Sequence, residues 1–493
     1  MGSQKSVLQG QYDKLFIGGH WVEPSSSESA FVISPSTEEP VARVAHGAHD
    51  DIDNAVHAAR LAFDAGPWPN LPIEDRITLL RKISAQLQER EDEIAHVVTT
   101  EMGCPITLST KMQSVGPRLL LDSFLDLAST YPWSDVRRSP TGNALVTREP
   151  AGVVGAIVPW NAPLLISMIK FAPALLAGCT MILKPAPETP LSAYLLADIV
   201  ESVGLPDGVF NVVTAGREVS EYLVRHGGVD KISFTGSTSA GRRIAALCGE
   251  DLRRVTLELG GKSAAVLLED ADLDVAIPAI RALSLRNSGQ VCSNKTRIVV
   301  SQSLRDELHD RLRDMIGSMP VGDPFNPVTE IGPLVSSAQR QRVEGYIEDA
   351  KSSGESLLVG GGRPEGLDHG WYVEPTIFID VDPSARIAQE EVFGPVLTVH
   401  TFESEAEAIQ IANNSQYGLN GSVFSADPDH ALEVARRIRT GTVELNGSPV
   451  GFGAPIGGFK NSGIGREAGP EGFDSYVELK SFGLPSALVD KLA

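Results

Sequence analysis

The chain has 493 residues, of which 42% are hydrophobic and 21% are charged, and its 42 basic and 63 acidic residues give a formal net charge of −21. This length exceeds what one hydrophobic core usually spans and predicts two or three domains. The acidic balance argues against nucleic acid or an anionic membrane as partner, because both need basic surface. The sequence also contains no apolar run of the about 18 residues that a membrane span needs.

The chain start lacks the apolar core of a secretory signal. It formally fits an N-myristoylation pattern through Gly2 and Ser6, but such matches are frequent by chance and we expect no lipid there. The cysteines have neither CxxC nor metal-type spacing, so no metal site and no disulfide framework is predicted. A reducing cytoplasm fits this usage best. The four cysteines are Cys104, Cys179, Cys248 and Cys292.

Helical periodicity dominates residues 51–130, for example between 73 and 102. The segments 131–150 and 474–485 contain strand-like pieces with turn residues and little helical signal. Their expected partners are either each other or a second subunit.

From residue 151 onward, short β-branched apolar runs alternate with amphipathic stretches. This alternation predicts parallel βαβ units with helices on both faces of the sheet. Such sheets bind ligands at the carboxyl ends of their strands. The predicted strands are 152–158, 180–185, 209–215 and 231–236, and the predicted helices are 164–178, 190–204 and 239–249. A second alternating block from about 263 to 460 predicts a second α/β domain.

Cys292 lies in NSGQVCSN, after a helix-like run and before a predicted strand at 296–300. Small and polar neighbours leave the thiol reachable, and a thiolate is suited to attack a carbonyl and later release an acyl product. A lone cysteine is also often a small buried hydrophobe. The residues alone leave both interpretations open.

Two carboxylates are candidate bases. Glu258 ends the apolar strand of RVTLELGGKS, beside two glycines that permit close approach, and is well placed to activate water. Glu391 lies in EEVFGPV. Solvated acids at a strand end and in a loop are the plainer interpretations.

Four further residues are candidate ligand contacts. Gly236 and Ser237 follow a strand and precede a helix, where free N–H groups suit a pyrophosphate, although Gly-Ser also caps ordinary helices. Lys184 ends a strand and is placed to reach a ribose or phosphate, or is simply solvated. Asn161, in PWNAPL, is placed to donate to an oxyanion or to serve as a turn residue.

Taken together, these motifs resemble the NAD(P)-dependent aldehyde dehydrogenase superfamily. The resemblance covers nearly the whole chain and rests on eight motifs in order. They are PWNAPL, KPAPETPL, GLPDGVFNVV, FTGST, LELGGKS, GQVCSN, EEVFGPV and PIGGFKNSG.

The resemblance implies that Cys292 attacks the aldehyde, that Asn161 and the Cys292 backbone N–H hold the oxyanion, and that Glu258 deprotonates the hydrolytic water. It also implies a set of cofactor contacts, of which Glu391 and Phe393 position the nicotinamide ribose and ring. The other implied contacts are Ile157, Trp160, Lys184, Gly236, Ser237 and Leu259.

One position departs from the family pattern. Pro187 stands where many NAD-preferring members carry a glutamate that repels a 2′-phosphate, and Glu188 is displaced by one residue. We expect NAD because proline offers no positive group to a phosphate, while NADP stays open.

The leading interpretation is oxidation of an aldehyde to a carboxylic acid. A CoA-acylating dehydrogenase and a non-catalytic protein on the same scaffold are the alternatives. Glu258 favours water over CoA as the acyl acceptor, because acylating relatives generally lack that base.

If residues 162–170 are helical, Ala162, Leu165, Ile166 and Ile169 share one face, which in the family lines the substrate tunnel. An apolar tunnel predicts a bulky aromatic, terpenoid or medium-chain aldehyde. Arg286, six residues before Cys292, is the exception, since it is able to favour an anionic group.

The resemblance implies a Rossmann-like cofactor domain (1–127 and 151–260), an α/β catalytic domain (261–460), and a small β extension for oligomerisation (128–150, with a C-terminal segment 461–493). We expect a homodimer or a homotetramer.

Overall fold

A computed structural model describes residues 12–492 of the chain. The myristoylation pattern at Gly2 lies outside these residues. Within them the chain forms an eight-stranded, a seven-stranded and a three-stranded sheet, with two short two-stranded ribbons. None of the helices between residues 12 and 492 has both the length and the apolar character needed to cross a bilayer.

The first half of the chain contributes all but one strand of the eight-stranded sheet and also contributes strands to smaller sheets. Its strands are β1 (Leu15–Ile17), β2 (His20–Val22), β3 (Ser29–Ile33), β4 (Pro40–Ala45), β5 (Ser134–Ser139), β6 (Gly142–Pro150), β7 (Val153–Ile157), β8 (Thr180–Lys184), β9 (Phe210–Val212), β10 (Lys231–Thr235) and β11 (Arg254–Glu258). Its helices are α1 (His49–Asp64), α2 (Ile73–Glu89), α3 (Glu91–Met102), α4 (Ile106–Leu108), α5 (Gly116–Thr130), α6 (Pro163–Ala177), α7 (Leu191–Val203), α8 (Arg217–Arg225) and α9 (Thr238–Glu250). A 3₁₀ turn at Trp68–Asn70 and a π-helix at Ser109–Val115 interrupt them.

The second half of the chain contributes the whole seven-stranded sheet and also contributes strands to other sheets. Its strands are β12 (Ala264–Leu267), β13 (Arg297–Ser301), β14 (Ser356–Val359), β15 (Thr376–Ile379), β16 (Val396–Phe402), β17 (Tyr417–Gly418), β18 (Gly421–Phe424), β19 (Glu444–Leu445), β20 (Phe459–Lys460), β21 (Gly463–Ile464) and β22 (Val477–Leu484). Its helices are α10 (Leu273–Ser284), α11 (Arg305–Gly317), α12 (Ser337–Ser352), α13 (Arg386–Gln389), α14 (Glu405–Asn413), α15 (Pro428–Ala435), α16 (Gly469–Asp474) and α17 (Ser486–Leu492).

The eight-stranded sheet has the order β2-β1-β9-β8-β7-β10-β11-β21. The five strands from β7 to β11 are mutually parallel, which confirms the predicted βαβ arrangement. Strands β7, β8 and β10 are buried along their whole length, as expected for a parallel sheet covered on both faces. Gly463–Ile464, which the sequence interpretation assigned to the C-terminal segment, adds an antiparallel strand beside β11.

Helix α6 connects β7 and β8 across one face of this sheet. Its first residue is Pro163, whose fixed φ suits a helix start. Gly178 ends it with φ 95°, a left-handed conformation that glycine adopts without penalty. The predicted end of the helix is therefore confirmed, while its start lies after Ala162.

The seven-stranded sheet has the order β14-β15-β16-β13-β12-β18-β19 and is parallel except for the edge pair β14–β15. The three-stranded sheet has the order β22-β6-β5, with β22 antiparallel to β6. The segments 131–150 and 474–485 were expected to pair either with each other or with a second subunit, and in the structure they pair with each other.

Candidate active site

The carboxyl ends of the parallel strands bring several predicted residues to one edge of the eight-stranded sheet. Ile157 is in register with Lys184, and Thr235 is in register with Glu258. The strand order reverses between β7, which leads to β8 and β9 on one side, and β10, which leads to β11 on the other. A crevice at such a reversal is where open α/β sheets bind ligands.

A cavity of about 250 Å³ opens at this crevice. Loops that follow β7, β10 and β11 form one side. The other side is formed by helix α12, the segment after α13 and the loop 285–296, called here the nucleophile loop because the sequence predicts that role for its Cys292. Eight predicted site residues line it: Trp160, Asn161, Gly236, Ser237, Leu259, Cys292, Glu391 and Phe393. Ile157, Lys184 and Glu258 end the adjoining strands, and Arg286, Ala162, Leu165, Ile166 and Ile169 are outside the cavity lining.

The loop before Cys292 has an unusual backbone. Asn287 and Ser288 have φ of 56° and 55°, a region that residues with a Cβ seldom occupy, and Gly289 continues the run at 79°. Such conformations cost about 1–3 kcal/mol each and persist only where the surrounding structure enforces them. The strained run turns the chain so that Cys292 is half-buried at the cavity, whereas Cys104, Cys179 and Cys248 are buried.

Gly261 allows the nucleophile loop to approach β11. A Cβ at Gly261 would lie 2.4 Å from the carbonyl oxygen of Cys292. Burial raises the pKa of the Cys292 thiol to about 12, and the carboxylates of Glu391 and Glu258 add to the rise while Arg286 opposes it. The ligand-free site therefore holds a neutral thiol at pH 7.

Asn161 is fixed from two sides. Its backbone oxygen accepts hydrogen bonds from Gln113 Nε2 at 3.0 Å and from Asn287 Nδ2 at 3.1 Å. Its own Nδ2 donates to the backbone oxygen of Gln290 at 2.9 Å. An amide nitrogen carries two hydrogens, so the bond to Gln290 leaves one N–H of Asn161 for another acceptor.

Glu258 ends β11 in a buried, polar neighbourhood. Its Oε1 has no hydrogen-bond partner among residues 12–492, and a Cβ at Gly457 would lie 2.8 Å from it. Burial raises the pKa of Glu258 well above its usual value, and Glu467 raises it further, while Lys170 and Arg466 lower it. A carboxyl group held this way is a strong base once it is ionised.

Lys170 and Glu467 form a buried ion pair beside that carboxyl. Lys170 Nζ lies 2.6 Å from Glu467 Oε1, and the two side chains are 0% and 2% exposed. Ser233 Oγ donates to the same Glu467 oxygen at 3.3 Å and itself accepts from Tyr476 OH at 3.1 Å. These residues are joined only by the fold, since 297 positions separate Lys170 from Glu467.

Glu391 reaches the cavity floor because Gly260 has no side chain. A Cβ at Gly260 would lie 2.4 Å from Glu391 Oε2, and Glu391 Oε1 accepts a hydrogen bond from Gly261 N at 2.9 Å. Burial raises the pKa of Glu391 to about 7, against the opposing effects of that N–H, Lys262 and Arg342. The ring of Phe393 meets that of Trp160 edge to face, with centroids 5.3 Å apart.

The predicted phosphate loop lies at the start of α9. Ser237 is the N-cap, and its Oγ accepts a hydrogen bond from Ala240 N at 3.3 Å. The interpretation of Gly-Ser as a helix cap is therefore confirmed, and this bond occupies one lone pair of the hydroxyl. Its hydroxyl hydrogen stays able to donate to an anion. Lys184 is buried, which lowers its pKa to about 8, while Glu188 opposes that shift.

Arg286 is held by a hydrogen bond to the residue that follows Cys292. Its Nη2 donates to Ser293 Oγ at 3.1 Å. Burial lowers the pKa of Arg286, and Glu444 and then Cys292 oppose that effect. Glu444 forms its ion pair with Lys295 at 2.7 Å, and Arg286 Nε has no hydrogen-bond partner among residues 12–492. Glu444 therefore acts on the guanidinium through its charge and not through a direct contact.

Ala162 is the N-cap of α6, with φ −147°, so the assumption of a helix from residue 162 is wrong by one residue. Its oxygen still accepts from Ile166 N at 2.9 Å, which keeps the two residues one turn apart. Leu165 and Ile166 are half-buried, whereas Ala162 and Ile169 are buried. A Cβ at Gly116 would lie 3.7 Å from Leu165 Cδ1, which places Leu165 against the start of α5.

Two cavity residues on α12 were missed in the sequence, Gln339 and Arg342. Polar residues fill most of α12, as in any helix at a protein surface, so no pattern singled them out. Their spacing of three residues was the one available signal, because it places both side chains on one face.

The chain was compared with protein-family models and with curated proteins. The model of the aldehyde dehydrogenase family matches residues 21–482. The chain is 45% identical over 471 residues to geranial dehydrogenase of Castellaniella defragrans, covering 95% of this chain and 98% of that protein. It is 44% identical to 3-succinoylsemialdehyde-pyridine dehydrogenase of a Pseudomonas species, with the same coverage.

Solved structures agree over nearly the whole length. An aldehyde dehydrogenase of Mycobacterium tuberculosis in complex with NAD+ superposes with a TM-score of 0.94 at 46% identity, covering 96% of this chain and 98% of that one. A mutant of aldehyde dehydrogenase C of Pseudomonas syringae, in complex with NAD+ and octanal, has a TM-score of 0.93 at 41% identity, covering 96% and 97%.

Proposed function

The chain belongs to the aldehyde dehydrogenase family and is an NAD-dependent oxidoreductase, and we propose that Cys292, Asn161 and Glu258 carry out its chemistry. One observation supports this assignment most directly. A single cavity at the strand-order reversal is lined by Cys292, Asn161 and six of the residues proposed to contact the cofactor.

In the proposed reaction the Cys292 thiolate attacks the aldehyde carbon, and the thiol proton leaves to solvent. Asn161 Nδ2 and the Cys292 backbone N–H donate to the oxygen that becomes negative, which stabilises the tetrahedral thiohemiacetal. NAD+, when bound, would supply the acceptor for the hydride of the thiohemiacetal carbon, and the acyl group would then remain on Cys292 as a thioester. Glu258 takes a proton from water, the water attacks the thioester carbon, and the acid departs as the thiol is restored.

The residues present fit a dinucleotide. Gly236 and Ser237 line the cavity directly before the start of α9, and the free N–H groups of a helix start suit a diphosphate. Thr235 Oγ1 is buried there without a partner among the described residues. We assign the nicotinamide ribose to Glu391, the ring to Phe393, the cleft wall to Ile157, Trp160 and Leu259, and the adenosine ribose to Lys184.

The structural features also support NAD over NADP. Glu188 lies close enough to Lys184 to affect its pKa, so the adenosine end carries a negative charge as well as the lysine. That negative charge repels the 2′-phosphate of NADP, whereas it does not repel the neutral 2′-hydroxyl of NAD.

We propose a bulky apolar aldehyde as substrate. The half-buried Leu165 and Ile166 give α6 an apolar surface next to Asn161, and the negative charge of Glu444 partly offsets the positive charge of Arg286. The relative named geranial dehydrogenase and the related structure that contains octanal are consistent with this class.

We further propose a homodimer or homotetramer joined through the three-stranded sheet, with residues 128–150 and 461–493 as the oligomerisation part. The other proposed parts of the subunit are the cofactor domain (1–127 and 151–260) and the catalytic domain (261–460). On strand β22, Leu479 is 63% exposed and Phe482 40% exposed, an apolar edge suited to a subunit interface. Four free thiols fit a reducing cytoplasm as the place of action.

The experiment is a turnover screen with purified protein, NAD+ and NADP+ in parallel, over octanal, geranial, benzaldehyde and succinic semialdehyde. We expect absorbance at 340 nm to rise with NAD+ and the apolar aldehydes, and the product to be the free acid even when CoA is present. A preference for the charged semialdehyde would contradict the substrate class, and an acyl-CoA product would contradict hydrolysis. Undiminished turnover by Cys292→Ala would contradict the mechanism.

A further inference from the structure

Helix α12 packs one face against the segment 390–394, called here the cofactor turn because it carries Glu391 and Phe393. Gln339, Arg342, Val343 and Tyr346 share that face by i, i+3, i+4 and i+7 spacing. A Cβ at Gly394 would lie 2.5 Å from Val343 Cγ2, so helix and turn are in close contact.

Three side chains of this face hydrogen-bond to the turn at successive points. Gln339 Nε2 donates to the backbone oxygen of Phe393 at 2.8 Å, and Arg342 Nη2 donates to that of Glu391 at 2.7 Å. Tyr346 OH donates to Glu390 Oε2 at 2.6 Å. The backbone oxygens that accept the first two hydrogen bonds belong to Phe393 and Glu391, the two residues of the turn whose side chains face the cavity.

The turn requires such support because its conformation is unfavourable. Phe393 has φ 63°, a region that a residue with a bulky side chain occupies rarely and only when its surroundings impose it. The turn also supports the nucleophile loop, since a Cβ at Gly289 would lie 1.9 Å from the backbone oxygen of Gly394.

We propose that Gln339 and Arg342 are positioning residues that fix the cofactor turn, so that Glu391 and Phe393 meet the nicotinamide half of NAD+ in the orientation needed for hydride transfer. This inference rests on the proposed function of Glu391 and Phe393. The adenosine half is assigned to Lys184 and the start of α9, on other elements of the sheet edge. Loss of the two hydrogen bonds therefore affects one half of the dinucleotide and not the other.

The test is Gln339→Glu, which keeps the shape of the side chain but replaces the N–H donor by a carboxylate that cannot donate to the oxygen of Phe393. Gln341→Glu is the matched control, because it makes the same change on the same helix at an exposed side chain. Two constants are measured: the KM for NAD+, and the inhibition constant of AMP, which carries only the adenosine half.

We expect Gln339→Glu to raise the KM for NAD+ about tenfold or more, with the AMP constant unchanged and with neither constant altered in Gln341→Glu. An unchanged KM would overturn the proposal, as would a parallel rise in both constants, which indicates general distortion. Should Gln339→Glu not fold, Arg342→Met and Arg342→Lys provide the same comparison, with Lys expected to recover part of the loss.

Failure of the proposed function is distinguishable. Wild-type protein that binds NAD+, as judged by quenching of tryptophan fluorescence, but oxidises no aldehyde would refute the catalytic assignment. NAD+ and AMP affinities measured by the same fluorescence would then still decide the role of Gln339.

Discussion

Substitution of Gly261 by alanine tests how closely the nucleophile must be placed. The added Cβ would lie 2.4 Å from the backbone oxygen of Cys292 and 3.3 Å from Leu419 Cβ. Ordinary van der Waals contact begins at about 3.4 Å, so the Cys292 backbone must retreat by about 1 Å. The obstacle is backbone and has no rotamer with which to move aside.

A displacement of 1 Å at a reacting group costs about 10²-fold in rate. We therefore expect kcat to fall about 100-fold in Gly261→Ala. Overpacking of this kind costs about 1–3 kcal/mol of stability, less than the total stability of about 5–15 kcal/mol of an ordinary domain, so the variant stays folded. NAD+ still binds, because alanine retains the N–H that Glu391 accepts.

The assay is NADH formation from octanal at saturating NAD+, with the melting temperature and NAD+ affinity measured on the same preparations. Gly345→Ala is the control: this glycine lies in α12, a Cβ there meets nothing within 4 Å, and alanine favours a helix by about 1 kcal/mol over glycine. A folded Gly261→Ala variant whose kcat stays within about threefold of wild type would show that the contact does not position the thiol.

Four further expectations follow from the same site. Cys292→Ala abolishes aldehyde oxidation while NAD+ still quenches tryptophan fluorescence; loss of both signals would mean that Cys292 is structural. Because the ionised form of Glu258 is the base and burial raises its pKa, kcat for thioester hydrolysis rises with pH, with a midpoint above the ordinary pKa of a glutamate. In Glu258→Gln the rate of thioester hydrolysis falls about 10²–10⁴-fold, while a burst of NADH remains. The same dependence of kcat on pH in the wild type and in Glu258→Gln would contradict the role of Glu258 as base. Arg286→Met removes the cation that lowers the pKa of Cys292, so a smaller fraction of the sulfur is thiolate and alkylation by iodoacetamide at fixed pH slows about three- to tenfold; an unchanged rate would exclude that influence. Leu479→Glu places a charge on the exposed edge of β22 and shifts the mass in light scattering toward the monomer, whereas an unaltered mass would put the interface elsewhere.

The parallel half of the fold follows closely from local sequence. Strands β7, β8 and β10 are short runs rich in β-branched and apolar residues, and α6 ends at the glycine that marks its end in the sequence. The three-residue strands β1 and β2 were not predicted, because a strand of that length is defined by its pairing with β9 and with each other. The π-helix at Ser109–Val115 likewise has no sequence signal.

The candidate site divides in the same way. Residues within motifs, such as Cys292 and Glu391, were identified because the motif names them. Lys170 and Glu467 were missed because a buried lysine on an apolar helix reveals its partner only when two segments 297 residues apart meet. The effect of the Glu444 charge on Arg286 was equally invisible, since two residues far apart in the chain come close only in the fold.

The close approach of Gly289 to the carbonyl of Gly394 joins the loop that carries Cys292 to the cofactor turn. If the proposed roles hold, we expect a covalent adduct on the thiol to shift this loop and, through the contact, the turn proposed to receive the nicotinamide riboside. Energetic coupling between two ligands is reciprocal. Inhibitors that modify the sulfur will therefore have apparent potencies that depend on dinucleotide concentration, and pre-incubation with NAD+ will change both their rate of reaction and the stability of the adduct.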